Sequence, residues 1–281
     1  MTASRPFRLA GVIGWPINHS RSPLLHGFWL REHAIEGAYV PMAVRPEALR
    51  EALRGLAALG FSGCNVTIPH KVPALTLVHE TDPMARQIGA VNTVVVRADG
   101  TLLGLNTDAD GYAANLVEAQ PGWRADRGPA VVLGAGGGAR AVVASLLARG
   151  APEIRIINRT FARARALADE MGGSSLRVLP WEQRSDAVAG AALLVNTTSQ
   201  GMVGEPKLEI SLDQLPRDAV VSDIVYIPRE TALLSAARAR GNPAVGGLGM
   251  LLHQAVPAFS AFFGVTPKVT PALRRAVEAT L

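Results

Sequence analysis

The stretch AVVLGAGGGARAVVASLLARGAPEIRIINRT, residues 130–160, decides the fold. It opens on a short apolar run, turns on glycines, continues as a helical segment (RAVVASLLARG) and closes on a second β-rich run, EIRIINR. Another helical segment, FARARALADEMG, follows, and strand-like AALLVNTT (191–198) and AVVSDIVY (219–226) extend the pattern. Strands alternating with helices in this way are the signature of a doubly wound parallel sheet.

Gly134-Ala135-Gly136-Gly137-Gly138-Ala139 fits G-x-G-x-x-A. The pattern alone is weak; a strand before it and a helix after it make it specific. Gly134 permits the tight turn, Gly136 lets a pyrophosphate approach the backbone, and Ala139 lets the helix lie close to the sheet. The free N–H groups and positive dipole end of the helix then face the phosphates. The next strand identifies the nucleotide. An NAD site carries Asp or Glu there for the ribose 2′-hydroxyl, whereas this chain has Asn158-Arg159-Thr160 and then Arg163. Two guanidiniums and a hydroxyl suit a 2′-phosphate, so the expected cofactor is NADP. The competing reading is a pair of solvated surface arginines.

Outward from this core, the polar segment QPGWRADRGP (120–129) reads as a linker. Upstream of it, RLAGVI (8–13) and AYVPMAV (38–44) read as strands, with a helix from about Leu24 to His33 between them. A helix starts on Pro46 and stops at Gly60, and FSGCNVTI is a strand ended by Pro69. The run GAVNTVVVRADGTLLGLNTDADG reads as a hairpin around Asp99-Gly100. After Gly246 come one helix, MLLHQAVPAFSAFFG, and another beyond Pro271. The fold class is therefore α/β in two domains: an N-terminal mixed-sheet domain and a Rossmann-type doubly wound domain. The expected divisions are 1–118, 119–245, and a C-terminal helical segment, 246–281.

The 281 residues are 48% hydrophobic but only 5% aromatic, so aliphatic side chains must build most of the core. One cysteine, Cys64, excludes a disulfide framework and a multi-cysteine metal cluster. His19, His26, His70, His79 and His253, five of the six histidines, show no metal-ligand spacing, so no metal is expected. The N-terminus shows no signal-peptide pattern and no apolar run is long enough to cross a bilayer; a cytoplasmic setting is expected. The net charge of +5 comes from scattered basic residues without interleaved aromatics, which disfavours nucleic acid as a partner.

Two segments of the first domain carry candidate chemistry. Ser20 and Ser22 lie two residues apart in a proline-pinned loop and could both address one carboxylate, or they could be a helix cap and a turn serine. Asn65 and Thr67 alternate at a strand end, and Lys71 follows the proline turn. Nearly every basic residue here is Arg, and Lys, unlike Arg, can be deprotonated in a protein. Asn92 and Asp108 flank the proposed hairpin. A carboxylate, a lysine and asparagines at strand ends suit a polyhydroxylated ring.

At this point the pieces GVIGWPINHSRSPLLH, GCNVTIPHK, IGAVNT, NTDADG, GAGGGAR, NRTFARA, VNTTSQGM, DIVYIPRETALL and GLGMLLHQA, taken in order, resemble the shikimate dehydrogenase family over nearly the full length. The resemblance implies an N-terminal substrate domain, a Rossmann NADP domain, C-terminal helices that pack back on the first domain, and an active site in the cleft between domains. It implies NADP-linked interconversion of shikimate and 3-dehydroshikimate in chorismate and aromatic amino-acid biosynthesis, by a monomer or homodimer with small-molecule partners. Ser20 and Ser22, helped by Tyr226, would hold the carboxylate. Asn65, Thr67, Asn92 and Gln254 would surround the ring hydroxyls, with Lys71 and Asp108 as the catalytic pair. The residues of the glycine turn, Gly134 to Ala139, would line the cofactor site together with Asn158, Arg159, Thr160, Arg163, Thr198, Ser199, Ile224 and Gly247. Thr197 and Gly27 depart from the family's usual Ala and Asn. The rival readings are a quinate/shikimate dehydrogenase of relaxed specificity, a methylenetetrahydrofolate dehydrogenase-like enzyme, and a non-catalytic NADP- or nucleic-acid-binding protein.

Overall fold

A computed structural model describes residues 7–281. The chain forms two compact units, one running to Thr107 and taking up Gln254–Thr280, the other Asp108–His253 with the terminal Leu281.

The first unit is built on a six-stranded mixed sheet. Its elements are β1 (Arg8–Gly14), α1 (Ser22–Glu32), β2 (Gly37–Ala43), α2 (Leu49–Ala58), β3 (Phe61–Val66), α3 (Lys71–Ala74), β4 (Glu80–Thr81), α4 (Pro83–Ile88), β5 (Thr93–Val96) and β6 (Leu102–Leu105). The strand order is β2-β1-β3-β5-β6-β4. β1 pairs in parallel with β2 and β3, β5 pairs antiparallel to β3, and β6 pairs antiparallel to β5. Leu49, Leu53 and Leu56 recur at helical spacing along α2 and bury that face against Ile13, Cys64 and Val66. A separate aromatic group forms where Trp29 of α1 meets Phe259, with ring centroids 5.3 Å apart.

The second unit begins at α5 (Asp108–Ala119) and continues through β7 (Ala130–Leu133), α6 (Gly137–Ala148), β8 (Ile154–Ile157), α7 (Phe161–Met171), β9 (Leu176–Leu179), β10 (Leu193–Asn196), β11 (Val220–Asp223), α8 (Ala232–Ala239) and β12 (Ala244–Val245). All its strands are parallel, in the order β12-β11-β10-β7-β8-β9, the order of a dinucleotide-binding doubly wound sheet. Both faces are covered, which is why the central strands read as continuous apolar runs. Ala130 and Val132 of β7 join one core cluster with Val142, Val143 and Leu146 of α6. Val131 and Leu133 point into another with Leu194, Val221 and Leu233. The last helices, α9 (Leu248–Phe263) and α10 (Pro271–Glu278), return the chain to the first unit: residues 254–280 cluster with it, and Trp29 Nε1 donates to the Lys268 carbonyl at 3.1 Å.

Several sequence expectations shift. The strand expected through Ile68 ends at Val66, because Thr67 already closes a turn, its carbonyl accepting from the His70 amide at 2.9 Å. The alternation that placed Thr67 beside Asn65 stops there. The helix expected from Pro46 opens as a single 3-10 turn, Pro46–Ala48, before α2. Asp108 does not close a strand; it is the first residue of α5, a helix that sequence patterning missed. Tyr112 and Leu116 bury that helix in the core cluster shared with α6, and Ser145 Oγ donates to the Ala109 carbonyl at 2.8 Å. The expected boundary at 118/119 therefore moves to 107/108. The boundary at 245/246 moves to 253/254, since Met250 packs in the same cluster and Asn115 Nδ2 donates to the Gly246 carbonyl at 2.9 Å.

Candidate active site

In the first unit two of the expected substrate residues, Asn65 and Asn92, belong to one buried polar array. Asn65 on β3 lies opposite Thr93 on β5, and Asn65 Nδ2 donates to Thr93 Oγ1 at 2.9 Å and to the Asn92 carbonyl at 3.2 Å. Asn65 Oδ1 accepts from the Tyr39 hydroxyl at 2.7 Å. The Thr93 hydroxyl passes on to Asn92 Oδ1 at 3.0 Å, which also accepts from the Thr107 amide at 2.9 Å. Asn65 and Asn92 are almost fully buried. Burial without partners would cost roughly 1–3 kcal/mol per polar group, so the mutual bonding is what lets amides sit here.

Lys71 opens α3 next to this array, its carbonyl accepting from the Val91 amide at 2.8 Å. The turn before it is held by buried His70, whose Nε2 lies 2.7 Å from the Val44 carbonyl. Asp108 is buried and follows Thr107, whose amide is fixed on Asn92. An acidic residue in the first turn of α5 is favoured by the helix dipole. Ser22 is the first residue of α1, and its amide donates to Ser20 Oγ at 3.4 Å. Arg21 holds the capping position without a side-chain cap, so neither serine is the cap of that helix. Gln254 lies on α9, within the part that belongs to the first unit. Tyr226 sits in the loop after β11, in the second unit.

The residues expected to line the cofactor site follow the carboxyl ends of the second unit's strands. Gly134 has φ +117°, and a side chain there would collide with Thr197, which pins the loop by donating from its amide and hydroxyl to the Leu133 carbonyl at 2.8 and 2.6 Å. A Cβ on Gly136 would meet nothing within 4 Å, leaving open space at the N-terminus of α6 for a pyrophosphate. Ala139 is fully buried, as close packing of α6 requires. Asn158 Nδ2 holds the following turn through the Thr160 carbonyl at 2.9 Å. Arg159, Thr160 and Arg163 are exposed, and among the described residues no carboxylate pairs with either arginine. Both guanidiniums thus fit a 2′-phosphate.

Sequence reasoning missed the residues that fix the other cofactor loops. Asn196 and Asp223 are register partners at the ends of β10 and β11, both buried, and Asn196 Nδ2 donates to Asp223 Oδ1 at 3.0 Å. Asn196 Oδ1 accepts from the Thr198 amide and hydroxyl at 3.0 and 2.7 Å, placing the Thr198-Ser199 turn. Asp223 accepts from the Val225 amide at 3.0 Å and the Thr231 hydroxyl at 2.8 Å, framing Ile224. Burial outweighs these bonds and pushes the Asp223 carboxyl up to about 6. Gly247 closes the group, its amide donating to the Val225 carbonyl at 3.2 Å. An Asn and an Asp ending two apolar strands were the available signal. Tyr39, Thr93 and Thr107 were also missed.

A doubly wound sheet prepared for NADP, joined in one chain to a mixed-sheet unit with a buried amide array, defines a two-unit NADP-linked dehydrogenase. Comparison with known proteins makes this specific. The family models described as shikimate dehydrogenase substrate binding domain, shikimate/quinate 5-dehydrogenase and shikimate 5′-dehydrogenase C-terminal domain match residues 12–94, 118–232 and 247–278. A relative from Paramagnetospirillum magneticum named shikimate dehydrogenase (NADP(+)) is 57% identical, covering 95% of this chain and 96% of that protein. The structure of shikimate 5-dehydrogenase from Thermus thermophilus in complex with NADP(H) and shikimate is similar at a TM-score of 0.86 and 37% identity, covering 98% of this chain and 100% of that one. Quinate dehydrogenase from Corynebacterium glutamicum in complex with NAD is similar at a TM-score of 0.90 and 33% identity, covering 98% and 100%. This chain belongs to the shikimate dehydrogenase family.

Proposed function

We propose that the chain oxidises shikimate with NADP⁺ to 3-dehydroshikimate and NADPH, reversibly, in the biosynthesis of chorismate and the aromatic amino acids. The observation that carries the reading is the identity with a shikimate dehydrogenase (NADP(+)) across almost the whole chain. The nucleotide preference has its own support: the strand that would need an acid for NAD is followed by Arg159 and Arg163, neither paired with a carboxylate among the described residues. In this reading Ser20, Ser22 and Tyr226 hold the substrate carboxylate. Asn65, Thr67, Asn92 and Gln254 hold the ring hydroxyls.

The bound nicotinamide accepts or supplies the hydride. The protein's task is to orient the reacting carbon and move the hydroxyl proton. Lys71 takes that proton in the oxidation, with Asp108 as its partner in the pair; in the reduction a charged Lys71 returns it to the carbonyl oxygen. Arg159, Arg163 and Thr160 hold the 2′-phosphate, and the N-terminus of α6 the pyrophosphate. No described helix is long and apolar enough to cross a membrane; a cytoplasmic setting belongs to the proposal, supported by the single, buried Cys64.

The test is reduction of NADP⁺ and of NAD⁺ with shikimate and with quinate as alternative substrates. Fastest turnover with the shikimate–NADP⁺ pair is expected. Preference for quinate with NAD⁺ would overturn the reading in favour of the chemistry named for the Corynebacterium neighbour.

A further inference from the structure

Lys71 sits on a segment with little structure of its own. Strand β3 ends at Val66, and α3 is a single turn of four residues, too short to hold its place by helical hydrogen bonding. The position of Lys71 therefore depends on what anchors the turn before it, Thr67 to His70. Two anchors are backbone bonds to the end of β1. The Thr67 amide donates to the Ile13 carbonyl at 2.9 Å, and the Trp15 amide donates to the Ile68 carbonyl at 3.1 Å. The turn lies so close over β1 that a Cβ on Gly14 would come within 2.6 Å of Thr67 Cγ2. The third anchor is a side chain. His70 is buried, and its Nε2 lies 2.7 Å from the Val44 carbonyl. A carbonyl only accepts, so Nε2 carries the proton. Val44 follows the end of β2, which is not a neighbour of β3, because β1 lies between them. Adjacent strands are about 4.8 Å apart, so this bond joins loops leaving strands about 10 Å apart. Val44 is itself fixed: its amide donates to the Gly14 carbonyl at 3.1 Å. The next residue, Arg45, holds its guanidinium over the Trp15 ring, 5.2 Å from the centroid. The contacts close a circuit, from His70 to Val44, along the chain to Arg45, across to Trp15, and through Ile68 back to His70.

Resting on the reading that Lys71 moves the hydroxyl proton, we propose that His70 is a positioning residue for Lys71. Its Nε2–H bond to Val44, reaching across the end of β1, fixes where the lysine backbone starts and so where the amine meets the substrate hydroxyl. His70 takes no part in the chemistry. The bond needs a donor at the far end of a stiff side chain, which imidazole supplies with two rotatable bonds. Placement matters because a shift of about 1 Å at a reacting group can cost about 10²-fold in rate. Thr67 lies upstream of His70 and is pinned on Ile13, so it keeps its place without the imidazole. Loss of the bond therefore separates rate from binding.

The test compares substitutions at His70. His70→Leu, which keeps bulk and removes the donor, should lower kcat about ten- to hundredfold and change KM for shikimate less than about threefold. His70→Gln carries an amide nitrogen as many bonds from the backbone as Nε2 and should recover most of that rate. His70→Asn, one bond shorter, should not. In a Lys71→Met background His70→Leu should cost almost nothing more, because the group it positions is gone. A readout independent of activity is the nitrogen NMR spectrum of protein labelled at histidine. The ring whose signals vanish in His70→Gln should carry its proton on Nε2. If His70→Leu fails to fold, the Gln and Asn variants and the spectrum decide the matter. Wild-type kcat in His70→Leu, equal rescue by Gln and Asn, an undiminished loss in the Lys71→Met background, or a His70 proton on Nδ1 alone overturns the proposal and leaves the role of Lys71 intact. A Lys71→Met protein with wild-type kcat overturns both.

Discussion

The two units solve the burial of polar groups in opposite ways. The first unit gathers aromatic side chains around a neutral histidine, His26, and beside them links uncharged hydroxyls and amides from Tyr39 to Asn65, Thr93 and Asn92. The second packs its sheet with aliphatic side chains, and buries two carboxylates, Asp108 at the start of α5 and Asp223 at the end of β11. The difference follows the ligands. A polyhydroxylated ring is matched by groups that can both donate and accept, whereas a nucleotide's phosphates call for helix ends and exposed guanidiniums.

The sharpest way to break this division is at Lys71. Lys71→Met should lower kcat by about 10²–10⁴-fold, the contribution of a general acid–base group, with shikimate still bound. Lys71→Arg keeps the charge and donors but cannot give up a proton, and should be nearly as slow as Lys71→Met. A Lys71→Arg protein with near-normal kcat would reduce Lys71 to orienting the ring.

At Arg159 the expected effect is smaller. Replacing it with Ala should cost roughly 1.5–3 kcal/mol with NADP⁺, the range for a charge-assisted hydrogen bond, and almost nothing with NAD⁺. Initial rates with both cofactors measure this, and equal losses would make Arg159 structural.

Stability against pH sharpens the contrast further. His26 titrates at about 3 in the fold against 6.5 when free, so the unfolded chain takes the proton first, and its contribution to stability is lost as pH falls from 6.5 toward 3. Asp223 acts in the other direction. Its carboxyl titrates at about 6 against 3.8, so the folded protein gains the proton first, and stability from this group rises as pH falls from 6 toward 3.8. Urea unfolding midpoints should therefore drop more steeply between about pH 6 and 4 in Asp223→Asn than in wild type, and less steeply in His26→Leu. Parallel curves for all three proteins would remove both groups from the account. The smallest effect expected is at Thr197, where loss of a hydroxyl bond to the loop carbonyl should raise KM for NADP⁺ only a few fold.

The two units also differed in how far they could be read from sequence. The cofactor side is local: strand, glycine turn, helix and the Asn158-Arg159-Thr160 ending lie within about thirty residues, and each residue's role follows from its place in that unit. The substrate side is assembled from β2, β3, β5 and the α1 N-terminus, and pairings such as Tyr39 with Asn65 depend on sheet register that no local pattern encodes. Helix α5 was missed for a different reason. Its start, Asn106-Thr107-Asp108, reads equally as a turn, and its buried face mixes small and polar residues with only two large apolar ones, Tyr112 and Leu116, which gives weak periodicity. The loss of that helix moved the domain boundary and misplaced Asp108.

The division of labour between the units is tested most directly by one matrix of steady-state constants: KM for shikimate and KM for NADP⁺, in the Ser20→Ala/Ser22→Ala protein and in Arg159→Ala. The account predicts a diagonal result. The serine protein should lose a decade or more in shikimate KM, since each charge-assisted bond to a carboxylate is worth roughly 1.5–3 kcal/mol, and keep its NADP⁺ KM. The arginine protein should show the reverse. A serine protein with an unchanged shikimate KM, or either variant weakening both ligands alike, would contradict it.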